Sequence, residues 1–204
     1  MINKITLNDK LIAPSKIVCI GRNYYAHIEE LKNEVPEEMV IFLKPNSAIS
    51  EHLSCAGNEE IHYEAELAFL IQGGKIHALG FGLDLTKRHL QNRLKEKGLP
   101  WERAKAFDGS AVFSHFIEFN GDINKLSLVL SINQRQVQQG CVASMIYKPA
   151  QILKEVGLFM SMCDGDILMS GTPKGVGKIN SGDYFEATVF AGEKCIIDAK
   201  WQVP

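Results

Sequence analysis

The sequence has no long hydrophobic run and no strong excess of either charge. No stretch of its 204 residues approaches the length of a membrane span, and the first residues, Met1–Leu7, contain no apolar core of a signal peptide. Lys and Arg number 22 against 24 Asp and Glu, a formal net charge of −2. Such a balance gives no reason to expect nucleic acid or a membrane as partner. We therefore expect a cytoplasmic protein.

The sequence also lacks any close pair of cysteines. Its five cysteines are odd in number, widely scattered and never arranged as C-x-x-C. This pattern predicts reduced thiols of a cytosolic protein and argues against a disulfide framework or a zinc site.

Short β-type segments dominate the chain, and no repeat or linker divides it. We predict strands at Ile17–Ile20, Val40–Leu43, Tyr63–Ile71, Phe81–Leu85, Val112–Phe119, Leu126–Ile132, Ile167–Ser170, Tyr184–Phe190 and Cys195–Trp201. We predict helices at Tyr24–Lys32, Thr86–Lys97 and Pro149–Met160, the second with Thr86 as N-cap and Gly98 as its end. This pattern is typical of a β-rich α+β domain. We expect one catalytic domain over residues 1–204, with residues 1–15 as an N-terminal extension packed on it.

An acidic pair stands inside one of the predicted strands. Glu64 and Glu66 lie at i and i+2 in the apolar run His62–Ile71, a spacing that places both side chains on one face of a strand. Two carboxylates held together in a partly dry site persist only if one of them is protonated or a cation lies between them. Asp84, at the end of another predicted strand, would supply a third oxygen ligand for Mg²⁺ or Mn²⁺. A solvated acidic edge strand is the alternative.

Other candidate site residues carry little weight singly. His27 and Glu30 are helix neighbours at i and i+3, so the carboxylate could orient the imidazole as a base. Arg88 and Gln91 share a helix side, and Lys105 stands in an apolar setting unusual for lysine. Each of these patterns also fits ordinary surface residues.

The glycine-rich segment Gly171–Gly177 is not a nucleotide-binding loop. It lacks the final Lys-[Ser/Thr] of that motif, and Pro173 removes a backbone donor. The segment could still form a tight loop that brings backbone N–H groups and the Thr172 hydroxyl to a carboxylate.

Taken together, these segments resemble the fumarylacetoacetate hydrolase family, and most closely its small single-domain branch of acylpyruvases and oxaloacetate-processing enzymes. The resemblance extends from about residue 15 to the C-terminus in blocks that keep the family's order. The blocks are Gly21-Arg22-Asn23-Tyr24 with His27 and Glu30, Phe42-Leu43-Lys44-Pro45, His62–Leu67, Asp84-Leu85-Thr86 with Arg88 and Gln91, Gly98-Leu99-Pro100-Trp101 leading to Lys105, and Ser170–Gly177.

The resemblance implies a mixed β-sandwich roll that forms a homodimer. It implies Mg²⁺ or Mn²⁺ on three protein ligands, and His27 and Glu30 on a lid over the substrate. It implies substrate contacts as well. The implied ligands are Glu64, Glu66 and Asp84, and the implied contacts are Lys105, Gln91 and Thr172, with Arg22 and Arg88 in addition.

One departure from the family concerns the connection between the acidic strand and Asp84. The family has a longer connection with a helix there, whereas only Gln72 to Gly80 separate the two elements in this chain. The shorter connection removes none of the candidate metal ligands, but we expect it to change the packing beside the metal site.

These implications predict metal-dependent hydrolysis of a C–C bond in short acylpyruvate-type acids, releasing pyruvate. His27 would activate water, and Lys105 and Gln91 would hold the developing anion. The same site suits decarboxylation of oxaloacetate or tautomerisation of an oxaloacetate- or hydroxymuconate-type acid. A structural cation without catalysis would leave Lys105 and the His27–Glu30 pair unexplained.

Overall fold

Two β-sheets pack face to face and enclose most of the hydrophobic side chains. The computed structural model describes residues 2–55 and 59–204. Its strands are β1 Ile5–Leu7, β2 Lys10–Ile12, β3 Lys16–Gly21, β4 Val40–Pro45, β5 Ile49–Ser50, β6 Ile61–Tyr63, β7 Ala65–Gln72, β8 Lys75–Asp84, β9 Thr86–Lys87, β10 Ala111–Phe113, β11 Ile117–Glu118, β12 Leu126–Ile132, β13 Arg135–Cys141, β14 Ile167–Met169, β15 Gly177–Lys178, β16 Tyr184–Ala191 and β17 Lys194–Gln202. Its helices are α1 Tyr25–Glu30, α2 Arg88–Glu96, α3 Glu102–Lys105 and α4 Pro149–Val156.

The larger sheet is mixed. Its order is β4-β3-β14-β7-β8-β10-β5, with β11 paired beside β8; β14 runs parallel to β3 and β10 parallel to β5, while the other neighbours are antiparallel. The smaller sheet is antiparallel in the order β13-β12-β16-β17. The predicted β-rich α+β class with a mixed sandwich roll is confirmed.

Strand β7 is buried on both faces, which explains its nearly continuous apolar sequence. Leu67, Phe69 and Ile71 face the core between the two sheets, while Ala68 and Leu70 pack into a second cluster on the opposite face. The hairpin β1–β2 covers that second cluster, and Phe116 N donates to Thr6 O at 2.7 Å.

The short connection after β7 is a tight hairpin. Gly73 and Gly74 adopt φ of +57° and +69°, the left-handed values that a two-residue turn between antiparallel strands requires. β8 therefore begins at Lys75, earlier than the predicted Phe81, and pairs with β7 along its length. The register sets Glu66 opposite Gly82, so Asp84 lies two residues further along the same face of the sheet.

Several predicted boundaries are wrong. The segment Tyr63–Ile71 is interrupted at Glu64, between β6 and β7, and Val112–Phe119 divides into β10 and β11. Helix α2 begins at Arg88 after an N-cap at Lys87, because Thr86 pairs with His62 in β9. Helix α4 ends at Val156, before Met160, whereas the predicted stop at Gly98 is confirmed by its φ of +61°.

Asp166 joins the start of β14 to the start of β3. Its carboxylate is buried and accepts hydrogen bonds from Ser15 Oγ (2.6 Å), Ser15 N and Lys16 N (both 3.1 Å) and Cys163 N (2.8 Å), and it pairs with Lys16 Nζ. Burial opposes ionisation, but Lys16 and Ser15 outweigh it and lower the pKa of Asp166.

We expect Asp166→Asn to lower the free energy of unfolding by about 2–3 kcal/mol at neutral pH, because it removes a charged acceptor with several donors. A lowered carboxyl pKa stabilises the fold above the unfolded pKa of about 4, and this stabilisation is lost as pH falls through the folded pKa. Denaturant unfolding at several pH values tests this, with the exposed Asp164→Asn as control. A difference from the parent that did not shrink at acid pH would contradict it.

Among the described residues, no helix combines the length and apolarity needed to cross a membrane.

Candidate active site

Three buried carboxylates meet at one end of the larger sheet. Glu64, Glu66 and Asp84 each direct an oxygen to a common point, and these oxygens lie within 4.8 Å of one another. The hairpin β7–β8 produces this convergence, helped by the hydrogen bond from Asp84 N to Glu64 O at 2.9 Å. The predicted convergence is therefore present, and the solvated edge-strand alternative does not apply.

The three carboxylates differ in their surroundings. Burial raises the pKa of Glu66 well above its usual range, and the nearby Asp84 adds to the effect. Burial also opposes ionisation of Glu64, but Lys105 and Arg88 outweigh it and hold its pKa well below the usual range. Within the described chain Glu66 forms no ion pair, so it is the member of the cluster that most lacks a cation.

The donor set fits a hard divalent cation. Carboxylate oxygens alone are the ligands typical of Mg²⁺ and Mn²⁺, and they do not suit a soft metal. A cation among Glu64, Glu66 and Asp84 would offset the repulsion from Asp84 and Glu64, which adds to the effect of burial on the pKa of Glu66.

Three cationic side chains surround the acidic cluster. Lys105 Nζ lies 2.7 Å from Asp84 Oδ2 and 2.9 Å from Glu64 Oε2, and Arg88 Nη2 lies 2.5 Å from Glu64 Oε1. Lys44 Nζ lies 2.8 Å from Asp84 Oδ1 without hydrogen-bond geometry. Burial disfavours the Lys105 ammonium, but Asp84 and Glu64 outweigh it and raise its pKa, so this lysine stays charged.

Thr86 does not cap a helix as predicted, and its hydroxyl instead forms hydrogen bonds with two residues of the site. Its hydroxyl donates to Glu64 Oε1 at 3.1 Å and accepts from Lys105 Nζ at 2.6 Å. Strand β9 thus fixes both the carboxylate and the ammonium.

Helix α1 places a histidine over the cluster. His27 Nδ1 lies 3.3 Å from Glu30 Oε2, and the other oxygen of Glu30 accepts from Gly175 N at 2.9 Å. Burial lowers the pKa of His27, against the opposing effect of Glu64, so the imidazole is mainly neutral at pH 7. Ile28 of α1 is fully buried, so this helix packs firmly against the rest of the protein. This packing counts against a loosely held lid at His27 and Glu30.

The glycine-rich segment supplies backbone donors to protein carboxylates. Gly171 N donates to Glu66 Oε2 at 2.7 Å, as Gly175 N does to Glu30. Gly171 has φ +94°, and a Cβ there would lie 2.7 Å from Asn23 Cβ, so glycine is required. Thr172 Oγ1 accepts from Gln138 Nε2 at 2.9 Å.

One cavity gathers most of the predicted site residues. Gln91 Oε1 accepts from Arg88 Nη1 at 2.9 Å, and Arg22 reaches Asn33 Oδ1 at 3.4 Å. Glu30 and Asp84 do not line the cavity, but each contacts a residue that does: Glu30 contacts His27, and Asp84 contacts Lys105. The predicted residues on the wall are Arg22, His27, Glu64, Glu66, Arg88, Gln91, Lys105 and Thr172.

Sequence reasoning missed residues that support this site. Lys44 is completely buried beside Asp84, and Asn23 donates to Ser170 O (2.8 Å) and Tyr147 O (2.9 Å), fixing the loop that holds Glu66. Lys95 and Trp101 also line the cavity. The Phe42–Pro45 block contains Lys44, and a lysine directly after the apolar run Val40–Leu43 was the signal that could have identified it.

Comparison with known proteins identifies relatives along nearly the whole chain. The family model described as fumarylacetoacetate (FAA) hydrolase C-terminal matches residues 16–197. The oxaloacetate tautomerase YcgM of Escherichia coli is 41% identical over 192 residues, covering 85% of this chain and 88% of the relative. The human mitochondrial oxaloacetate tautomerase FAHD1 is 37% identical over 191 residues, covering 85% of this chain and 86% of the relative.

A solved structure extends the comparison. Fumarylpyruvate hydrolase from Pseudomonas aeruginosa, crystallised with Mn²⁺ and pyruvate, superposes with a TM-score of 0.90 at 26% identity and covers 99% of this chain and 95% of its own. The alignment with the E. coli relative is longer than the 85% of this chain that it contains, so the relative has residues without a counterpart in this chain. The short hairpin at Gly73–Gly74 agrees with such a difference.

Proposed function

Because the chain belongs to the fumarylacetoacetate hydrolase family, we propose that it is a metal-dependent enzyme that interconverts the enol and keto forms of oxaloacetate. The names of the relatives at 41% and 37% identity carry this proposal. They favour the tautomerase, which the sequence analysis placed second, over the C–C bond hydrolase, which it placed first.

In this proposal Glu64, Glu66 and Asp84 hold one Mg²⁺, with Mn²⁺ as a substitute. When bound, the cation would act as a Lewis acid that stabilises negative charge on the oxo-acid oxygens. The Mn²⁺ in the related fumarylpyruvate hydrolase supports this choice.

His27 moves the proton in this proposal. Tautomerisation takes the proton from the enol oxygen and places one on C3, and it consumes no water. A neutral imidazole accepts a proton on one nitrogen and returns it, and the lowered pKa of His27 keeps it neutral. Glu30 holds Nδ1, which leaves Nε2 for the substrate.

The remaining polar side chains bind the substrate. Lys105 is a buried cation that can pair with the enolate oxygen as its charge develops. Gln91 and Thr172 supply hydrogen bonds, and Arg88 and Arg22 supply positive charge at the cavity wall.

A substrate panel tests the proposal. The Mg²⁺-loaded protein is mixed separately with enol-oxaloacetate, keto-oxaloacetate and acetylpyruvate, and tautomerisation, pyruvate release and acetate release are followed. We expect tautomerisation to be the fastest reaction by at least about 10²-fold, the scale of a positioned acid–base group. Faster acetate release from acetylpyruvate would establish the hydrolase, the second candidate, which the fumarylpyruvate hydrolase structure favours.

Gly175→Ala is expected to reduce tautomerisation by about 10–100-fold by disturbing a supporting contact. Gly175 has φ +101°, and a Cβ there would lie 1.9 Å from Val137 O, so the loop must move and Gly175 N must leave Glu30. Gly182→Ala is the matched control, since Gly182 also has positive φ but a Cβ there meets nothing within 4 Å. Equal activity in the two variants would contradict the role of Glu30.

The homodimer and the cytoplasmic location belong to the same proposal. The resemblance supports the dimer, and the five free cysteines support a reducing compartment. Sedimentation of the purified protein tests the dimer.

A further inference from the structure

The cavity contains cations that no carboxylate of the described chain neutralises. Lys105, Arg88 and Lys44 pair with Glu64 or Asp84. Arg22 and Lys95 line the same cavity, and neither forms an ion pair within residues 2–55 and 59–204. A divalent cation at the acidic cluster would add to this excess of positive charge.

The guanidinium of Arg22 lies at the cavity with N–H donors that lack a good acceptor. Its backbone has φ +57°, a left-handed conformation that costs about 1 kcal/mol or more for a residue other than glycine. Its guanidinium makes only long contacts, to Glu34 O at 3.3 Å and Asn33 Oδ1 at 3.4 Å. Its Nε is buried without any hydrogen-bond partner, and Arg88 Nε is buried unpartnered as well. Buried unpaired donors of this kind call for an acceptor.

Lys95 adds a second unpaired cation on the same side. It lies in the last turn of α2, half-buried, with Nζ 4.9 Å from the centroid of the Trp101 ring. Burial lowers the pKa of Lys95 to about 8, and the like charges of Arg22 and Arg88 contribute. A carboxylate placed among these groups would satisfy the free donors and relieve the repulsion.

We infer that Arg22 and Lys95 bind the second carboxylate of a four-carbon oxo-diacid, whose other end faces Glu64, Glu66 and Asp84. This inference rests on the proposed function, and it adds Lys95 as the residue that selects diacids over acylpyruvates with an uncharged acyl group. Arg22 provides the planar donor groups and Lys95 a point charge.

Two stable ligands of equal carbon number test the inference without turnover. Malate carries the distal carboxylate, and 2-hydroxybutyrate has a methyl group in its place. We expect the Mg²⁺-loaded parent to bind malate at least about 10-fold more tightly by calorimetry, the scale of one charged hydrogen bond. Lys95→Met should lose most of that preference and leave the affinity for 2-hydroxybutyrate within about 2-fold. Methionine loses the ammonium but keeps an unbranched side chain whose sulfur can pack on the Trp101 ring, and thermal unfolding checks that the variant is folded.

Lys97→Met is the matched control, because Lys97 is exposed at the end of the same helix. It should keep the parent's preference for malate. With oxaloacetate, Lys95→Met should raise KM about 10-fold and change kcat little, because in this assignment Lys95 binds the distal carboxylate and His27 transfers the proton. No preference for malate in the parent, or an unchanged preference in Lys95→Met, would overturn the inference. A parent that prefers malate but does not interconvert oxaloacetate tautomers would confirm the diacid subsite and refute the tautomerase.

Discussion

Replacing Glu66 with glutamine is expected to lower oxaloacetate tautomerisation about 10³-fold or more. The change removes one of three carboxylates that converge within 4.8 Å, and several kcal/mol of charge stabilisation by a bound cation would be lost with it. The amide oxygen of glutamine can still accept from Gly171 N, so the loop remains in place. Initial rates over a series of Mg²⁺ concentrations measure the effect. The exposed Glu96→Gln is the control.

The same variant should gain stability when divalent cations are removed. Glu66 is buried beside Asp84 and Glu64 and has no ion pair within the described chain, so its ionised form is repelled at neutral pH. Removing a destabilising charge worth about 1 kcal/mol would raise the Tm by about 2–4 °C in a chain of this size. Added Mg²⁺ should raise the Tm of the parent but not of Glu66→Gln. A Mg²⁺-induced rise that survived in the variant would contradict the ligand assignment.

His27→Ala is expected to reduce tautomerisation by about 10²–10⁴-fold, the usual effect of losing a general acid–base group. His27 lines the cavity, is buried and mainly neutral, and has one nitrogen held by Glu30, so no other imidazole of the described chain is placed to replace it. Presteady-state mixing with enol-oxaloacetate measures the rate. The three carboxylates are untouched, so the Mg²⁺-induced rise in Tm should remain.

The exposed His115→Ala is the control for His27, since it removes an imidazole outside the site. Decarboxylation of oxaloacetate depends chiefly on charge stabilisation at the oxo acid and should fall less than tautomerisation in His27→Ala. Equal losses of the two activities would indicate that His27 positions the substrate and does not transfer the proton.

Local spacing was sufficient to predict the acidic pair, because Glu64 and Glu66 stand two residues apart and side chains at that spacing share one face of a strand. Asp84 joins them only through the pairing of β7 with β8, which sets Glu66 opposite Gly82. His27 with Glu30 was predictable for the same reason, because i and i+3 are neighbours on a helix. The contact from Glu30 to Gly175 was not, since it joins residues 145 apart in the chain.

The positions of the cationic side chains around the three carboxylates depend on tertiary structure, which the sequence pattern does not show. Lys44 meets Asp84 only because β4 and β8 belong to the same folded sheet, and Thr86 leaves its expected helix cap because pairing with His62 extends it into β9. No sequence pattern distinguishes Lys95 from the other charged residues of α2. Only the fold shows that it faces the same cavity as Arg22.

Solvent deuterium exchange tests the central claim most directly. Oxaloacetate is incubated in D₂O with catalytic amounts of the Mg²⁺-loaded protein, and deuterium at C3 and release of pyruvate are followed together by NMR. The proposal predicts that deuterium enters C3 at least about 10²-fold faster than pyruvate appears, and that His27→Ala abolishes this excess while His115→Ala retains it. Pyruvate release in step with deuterium entry, or exchange no faster than with Mg²⁺ alone, would contradict the assignment of this site to tautomerisation.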